Sequence, residues 1–194
     1  MRRLALLGTL AIGGCFLFQD PTENGGPSSS GPAVDDDTIP AIPYCEHVLS
    51  WPMESVEFEE DVLVLVNEQR AAGGTCGSRA FGPSGELTMN GGLRCAARVH
   101  SADMAARQFF DHVNPDGETP YDRFGKVGFD YTLAGENIAA GQPTPEEVVA
   151  GWMASQGHCE NILESGFTHI GVGLHVEDND TYGRYWTQTF GTPL

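Results

Sequence analysis

The chain has 194 residues, 40% of them hydrophobic and 9% aromatic, with 10 Lys and Arg against 27 Asp and Glu for a formal charge of −17. That length suits one domain with an extension, and the apolar fraction excludes wholesale disorder. The charge excludes nucleic acid and an anionic membrane surface as electrostatic partners, because phosphate recognition needs clustered cations and Lys126 is the only lysine.

The chain opens with Arg2-Arg3, an apolar run from Leu4 to Ile12, then Gly13-Gly14-Cys15. This is the grammar of a secretory signal, and the run is well short of the roughly 20 residues that span hydrocarbon. The small pair before cysteine resembles the lipobox of bacterial lipoproteins. The resemblance implies cleavage before Cys15, lipidation of its thiol and attachment to a membrane. Phe16, rather than Asp, after the cysteine implies the outer membrane in a cell with two; a secreted form is the alternative. Residues 15–61 hold eleven acids and no base, whereas residues 62–194 carry the −8 of an ordinary soluble domain. The Pro, Gly, Ser and Asp content up to about residue 42 offers too little apolar area to offset ordering entropy. The organisation expected is a signal peptide over 1–14, a flexible acidic tether over 15–56, with His47 near its end, and a domain over 57–194.

With Cys15 lipidated, Cys45, Cys76, Cys95 and Cys159 remain, an even number that implies two disulfides in an exported chain. Three connectivities are open; the one favoured is Cys76 with Cys95 and Cys45 with Cys159. No Cys-x-x-Cys zinc pattern is present.

Phe58, Val62, Leu65 and Val66 form the stripe of an amphipathic helix over 57–72, with acids in its first turn and Gly73-Gly74 at its end. A Gly-rich loop follows. Asn90 caps a second helix running to about Phe110, with Leu93, Ala97, His100 and Met104 on one face. Residues 111–117 are turn chemistry, residues 120–124 a short helical turn, and residues 125–143 a Gly-punctuated connection. Thr144, Pro145 and Glu147 start another helix in capping-box style, which stops near Gly157, with a further turn over 159–163. The C-terminus reads as a hairpin of residues 167–176 and 185–190. His169, Gly171, Gly173 and His175 share one strand face as packing or surface residues, while Trp152, Trp186, Phe109 and Phe110 read as core. Helices first and strands last give an α+β class.

Nucleotide-binding loops, H-E-x-x-H and G-x-S-x-G are absent. What stands out are polar residues in turns: His112 in FFDHVNPDG, Glu136 in GENIAAG, and Ser155 and His158 in WMASQGHCENIL. With VNEQR, HSADM, FTHIGVG and YWTQTFG in the same order, these segments resemble the CAP superfamily, or SCP domain, in its bacterial extracytoplasmic branch. The resemblance covers about residues 60–191 and implies an α-β-α sandwich with a small antiparallel sheet between helical layers.

The resemblance also implies a cleft lined by two histidines and two acids, carried here by His112, Glu136 and His158. The second acid falls at Ser155, leaving Glu160 or another acid as a substitute. Two neutral imidazoles can ligate a divalent ion such as zinc, with Glu136 orienting water or completing the shell, so His112 and His158 are the metal candidates. No cofactor is required by the alternative, in which these residues form a buried hydrogen-bonded network. Ser155 with His158 and Glu136 invites a serine-hydrolase reading, though its context is unlike a nucleophile elbow. His100 is expected to make a core hydrogen bond or approach the cleft. Members of the superfamily bind lipids, regulate partner proteins or act as proteases. The function expected is therefore an exported, membrane-tethered binding module for a lipid, a small apolar ligand or a divalent metal, more readily than an enzyme. A peptidase-like hydrolase and an inert protein-interaction module are the rivals.

Overall fold

A computed structural model describes residues 11–12, 16–18 and 37–194. Cys15 and most of the expected leader and tether lie outside the described residues. Among the described residues there are five α-helices: α1 (Met53–Ala72), α2 (Gly91–Arg107), α3 (Pro120–Lys126), α4 (Pro145–Ala154) and α5 (Gln156–Leu163). The main sheet has the order β1-β6-β8-β7-β5, from strands Ala11–Ile12 (β1), Tyr131–Ala140 (β6), Arg184–Pro193 (β8), His169–Val176 (β7) and Thr88–Met89 (β5), and Phe16–Phe18 (β2) also pairs with β6. A separate ribbon joins Gly74–Cys76 (β3) to Arg79–Phe81 (β4). The pairings are antiparallel except β5 with β7, which is parallel.

The expected helices form where their caps lie. Asn90 accepts from the Leu93 N–H, and Thr144 accepts from the Glu147 N–H. At Thr119 a complete capping box with Asp122 starts α3. The second helix ends earlier than expected, because Gln108 adopts a left-handed conformation that closes it at Arg107. The segment expected to be a connection is instead β6, a ten-residue strand. The folded part also starts before residue 57: a 3-10 turn over Pro43–Val48 buries Cys45 and Val48, and α1 begins at Met53.

Period-two alternation gives the sheet two unlike faces. Ile170, Val172, Leu174, Trp186 and Phe190 point to one, where they form the main core with Val62 and Val66 of α1, Val148 and Trp152 of α4 and Ile162 of α5. Gly171 and Gly173 point to the other, and α2 lies directly on them. A Cβ on Gly171 would sit 2.2 Å from the Leu93 carbonyl carbon, and one on Gly173 2.4 Å from that of Ala97. Only glycine permits this approach. Ser101 of α2 donates to the Gly173 carbonyl at 2.9 Å, and Thr189 of β8 to the Leu93 carbonyl at 3.1 Å, so the seam is hydrogen-bonded as well as close. Helices on both faces make the architecture the α-β-α sandwich expected.

A buried ion-pair knot ties α1 to α2: Glu59 accepts from Arg98 at 2.6 Å and Arg94 at 2.9 Å, and also from the Leu174 N–H at 3.0 Å. All four cysteines expected to pair do so, but with a different connectivity. Cys45 joins Cys95 and Cys76 joins Cys159, closing separations of 50 and 83 residues. The pairing differs from the favoured one because Cys95 faces the 3-10 turn, while the β3–β4 ribbon carries Cys76 to α5. In the chain-entropy model each bond is worth about 4 kcal/mol.

Candidate functional site

β6 positions the centre of the site. Glu136 lies on the α2 face of the sheet between Ala134 and Ile138, opposite Thr189 of β8, and is completely buried. A buried carboxylate needs partners for its lone pairs, and three residues surround it. His112, in the turn between α2 and α3, places Nδ1 2.8 Å from Oε1. Arg123 of α3 donates through Nη2 to both oxygens, at 3.1 and 2.9 Å, and to the His112 carbonyl at 2.9 Å. His100 of α2 lies 3.9 Å from Oε1.

The hydrogen bonds define the tautomers. A carboxylate only accepts, so His112 Nδ1 carries the proton and Nε2 is its accepting nitrogen when neutral. His100 Nε2 donates to the Asp111 carbonyl at 3.0 Å, leaving Nδ1 as the bare nitrogen. Burial holds His100 neutral, with its pKa lowered to about 4, although Glu136 pulls the other way. Burial alone would raise the Glu136 pKa; Arg123 outweighs it, with help from the histidines, and holds the carboxyl at about 2. Glu136 is thus ionised at neutral pH, a poor match for a group that must exchange protons in catalysis near neutrality.

Of the residues expected from sequence, His112 and Glu136 are brought into direct contact. His158 is buried in the first turn of α5, and its carbonyl accepts from Asn137 Nδ2 at 3.2 Å. Asn137 is the β6 neighbour of Glu136 and points to the opposite face, where it also donates to Gln188 at 3.0 Å and accepts from Asn161 at 2.9 Å. Asn161 in turn reaches the Glu136 carbonyl at 3.3 Å. Ser155 stands at the joint of α4 and α5, donating its N–H to the Trp152 carbonyl and accepting the Cys159 N–H on its own carbonyl. Glu160 accepts from Gln156 on the surface of α5. Neither is among the partners of Glu136. The residue that sequence reasoning missed is Arg123, whose nearest signal is the capping start Thr119-Pro120 that sets the orientation of its short helix.

The donor set does not suit a divalent ion on Glu136. Among the described residues no group of three or more His, Cys, Asp or Glu is placed to hold a metal. Glu136 has both oxygens engaged, and the Arg123 guanidinium lies where it would repel a cation on that carboxylate.

Away from this cluster, an open depression of about 360 Å³ lies between α1 and α4, lined by Leu65, Gln69, Glu146, Val149, Ala150 and Met153. No described helix is long and apolar enough to cross a membrane.

Comparison with known proteins agrees with this architecture. The model of the family described as CAP, cysteine-rich secretory protein family, matches residues 65–190. The chain is similar to the uncharacterized protein YkwD of Bacillus subtilis, 42% identical over 141 residues that make up 73% of this chain and 49% of that protein. It thus spans about half the length of that relative. Among solved structures, it resembles an extracellular protein containing a SCP domain from Bacillus anthracis, with a TM-score of 0.61, 26% identity, and coverage of 78% of this chain and 44% of the other. An outer surface protein of Borrelia burgdorferi shares the fold at 18% identity and a TM-score of 0.56, over 73% of this chain and 94% of that one.

Proposed function

Because the chain belongs to the CAP, or cysteine-rich secretory protein, family, we propose that it works outside the cytoplasm as a membrane-tethered binding module for a lipid or other small apolar ligand. The extracellular and surface proteins among its structural neighbours support the location. The observation that carries the ligand reading is the depression between α1 and α4. Leu65, Val149, Ala150 and Met153 give it an apolar floor, and its volume lies at the low end of the range for small-molecule sites. Gln69 and Glu146 form its polar end. A carboxylate there disfavours an anionic headgroup, which favours an uncharged single-chain amphiphile.

The His112/Glu136 cluster serves this module as a scaffold. It locks the turn before α3 onto β6, and its carboxylate is already fully used by protein partners. The hydrolase reading would need that carboxylate to exchange protons and Ser155 to lie beside it, and the geometry of both argues against it.

Titration of the isotopically labelled protein with monolaurin tests the proposal. Resonances of Leu65, Val149, Ala150 and Met153 are expected to shift in a saturable way, and Ala150→Trp, which fills the depression, is expected to abolish the shifts. Saturable binding that Ala150→Trp leaves unchanged, or no binding of any single-chain lipid, would remove the assignment.

A further inference from the structure

The left-handed Gln108 that closes α2 sends two successive phenylalanines in different directions. Phe109 donates its N–H to the Met104 carbonyl at 3.1 Å, and its ring stands edge-to-face with His100, 5.9 Å between centroids. Phe110 turns instead to the tip of the β7–β8 hairpin, where its ring lies 6.0 Å from that of Tyr182. Tyr182 stands edge-on to the buried Tyr185 at 5.8 Å, and the Tyr185 hydroxyl donates to Asp180. These rings cap the small core of Met104, Ala105, Ile138 and Ala140 on the α2 face of the sheet. Phe110 and Tyr182 remain half-buried, so two loops distant in sequence meet in a shelf of aromatic rings that water still reaches. Aromatic side chains placed in this way are common anchors of protein interfaces.

The ground around the shelf is acidic. Residues 103–118 and 177–184 hold seven acids against Arg107 and Arg184. Arg107 is engaged by Asp103 and Asp116. Arg184 precedes Tyr185 in β8 and therefore points to the opposite face of the sheet. Asp111, Glu177 and Asp178 are exposed and have no Lys or Arg partner among the described residues. Asp111 adjoins Phe110 on one side of the shelf, and Glu177 and Asp178 belong to the tip that carries Tyr182 on the other. An occupant must bring cations to two places with an apolar side chain between them, which a polypeptide does and a small cation does not. Like charge keeps the phosphates of a membrane or a nucleic acid away.

We propose that the shelf of Phe110 and Tyr182 docks a basic polypeptide segment, with an apolar side chain of that segment on the two rings and its Lys or Arg side chains facing Asp111 on one side and Glu177 and Asp178 on the other. A guanidinium over either ring adds cation–π attraction, as Arg107 does over Phe109 at 5.6 Å within the chain. The opposed charges select the partner and speed its approach, while the rings supply the area removed from water. This surface lies on the α2 face, whereas the depression lies between α1 and α4, so it stands or falls independently of the lipid reading.

Fluorescence anisotropy of a dye-labelled peptide KRWLKR titrated with the intact protein at low salt tests the proposal. Saturable binding is expected, weaker by about tenfold or more for KRGGKR and absent for EEWLEE. Asp111→Asn/Glu177→Gln/Asp178→Asn keeps the shape of the surface and is expected to weaken KRWLKR binding by about tenfold or more, as is Phe110→Ser. Glu54→Gln/Glu57→Gln/Asp61→Asn removes the same charge from exposed positions of α1 and is expected to leave the affinity within about twofold. Absence of saturable KRWLKR binding overturns the proposal, and an equal loss in the two charge variants overturns it by reducing the attraction to net charge. Should Phe110→Ser unfold, the two charge variants, both confined to exposed side chains, still decide. Binding to phosphatidylglycerol vesicles that Phe110→Ser abolishes would give the surface to a membrane and overturn the polypeptide reading.

Discussion

The two faces of the β6-β8-β7 sheet solve the same problem with different chemistry. Toward α1, α4 and α5 the strands present Ile170, Val172, Leu174, Trp186 and Phe190, and stability comes from large apolar side chains removed from water. Toward α2 they present Gly171, Gly173, Thr187, Thr189 and Glu136, and stability comes from close backbone approach, hydrogen bonds and one compensated charge. The first kind of face tolerates small adjustments of volume. The second tolerates almost none, which is why a polar cluster of fixed geometry can be held there.

The largest effect is expected from breaking the close approach. Gly171→Val puts side-chain atoms into the backbone of α2 at Leu93, and should cost about 4–5 kcal/mol or abolish folding, as read by urea denaturation. Arg123→Met leaves Glu136 ionised and buried without its guanidinium, a loss of about 3–5 kcal/mol. Adding Glu136→Gln to Arg123→Met should recover much of that loss, and a double-mutant cycle that shows simple additivity would contradict the ion pair's role. On the apolar face, Trp152→Phe keeps most of the packing and gives up the 3.3 Å hydrogen bond to the Ile138 carbonyl, so about 1–2 kcal/mol is expected.

Acidification separates the faces as well, since the titrating groups sit on the α2 side. His100 has a pKa near 4 when folded against 6.5 as its ordinary value, so lowering the pH from 6.5 protonates the unfolded chain first and stability falls down to about pH 4. Glu136, near 2 when folded against 4.5, extends the loss below pH 4.5. Each window is worth on the order of 3 kcal/mol. His100→Phe should flatten the upper window in chemical denaturation followed against pH and narrow the lower one, because Glu136 then loses one of the groups that hold its pKa down. The smallest effect, about 1 kcal/mol, is expected for Thr144→Ala, which removes the cap of α4.

What the sequence made legible follows the same division. The caps at Asn90 and Thr144, the apolar stripe of α1 and the final hairpin all carry local signals that survive in the fold. β6 does not, because the close packing around it demands Ala and Gly, which carry weak strand propensity. Disulfide connectivity is set by which helix the β3–β4 ribbon and the 3-10 turn meet, information that spacing lacks. His112 and Glu136 were found through their motifs, but Arg123 needed the structure, since a partner thirteen residues away on a separate helix leaves no periodic trace.

We read Glu136 as an ionised scaffold, locked by Arg123 and His112, rather than an acid or base in a reaction. The direct measurement is an NMR titration of its labelled side-chain carboxyl. A midpoint near 2 and a flat response from about pH 4 to pH 8 are expected in the wild type. A midpoint at about pH 5 to 7, where a general acid or base would be poised, would contradict it and return the catalytic reading to first place.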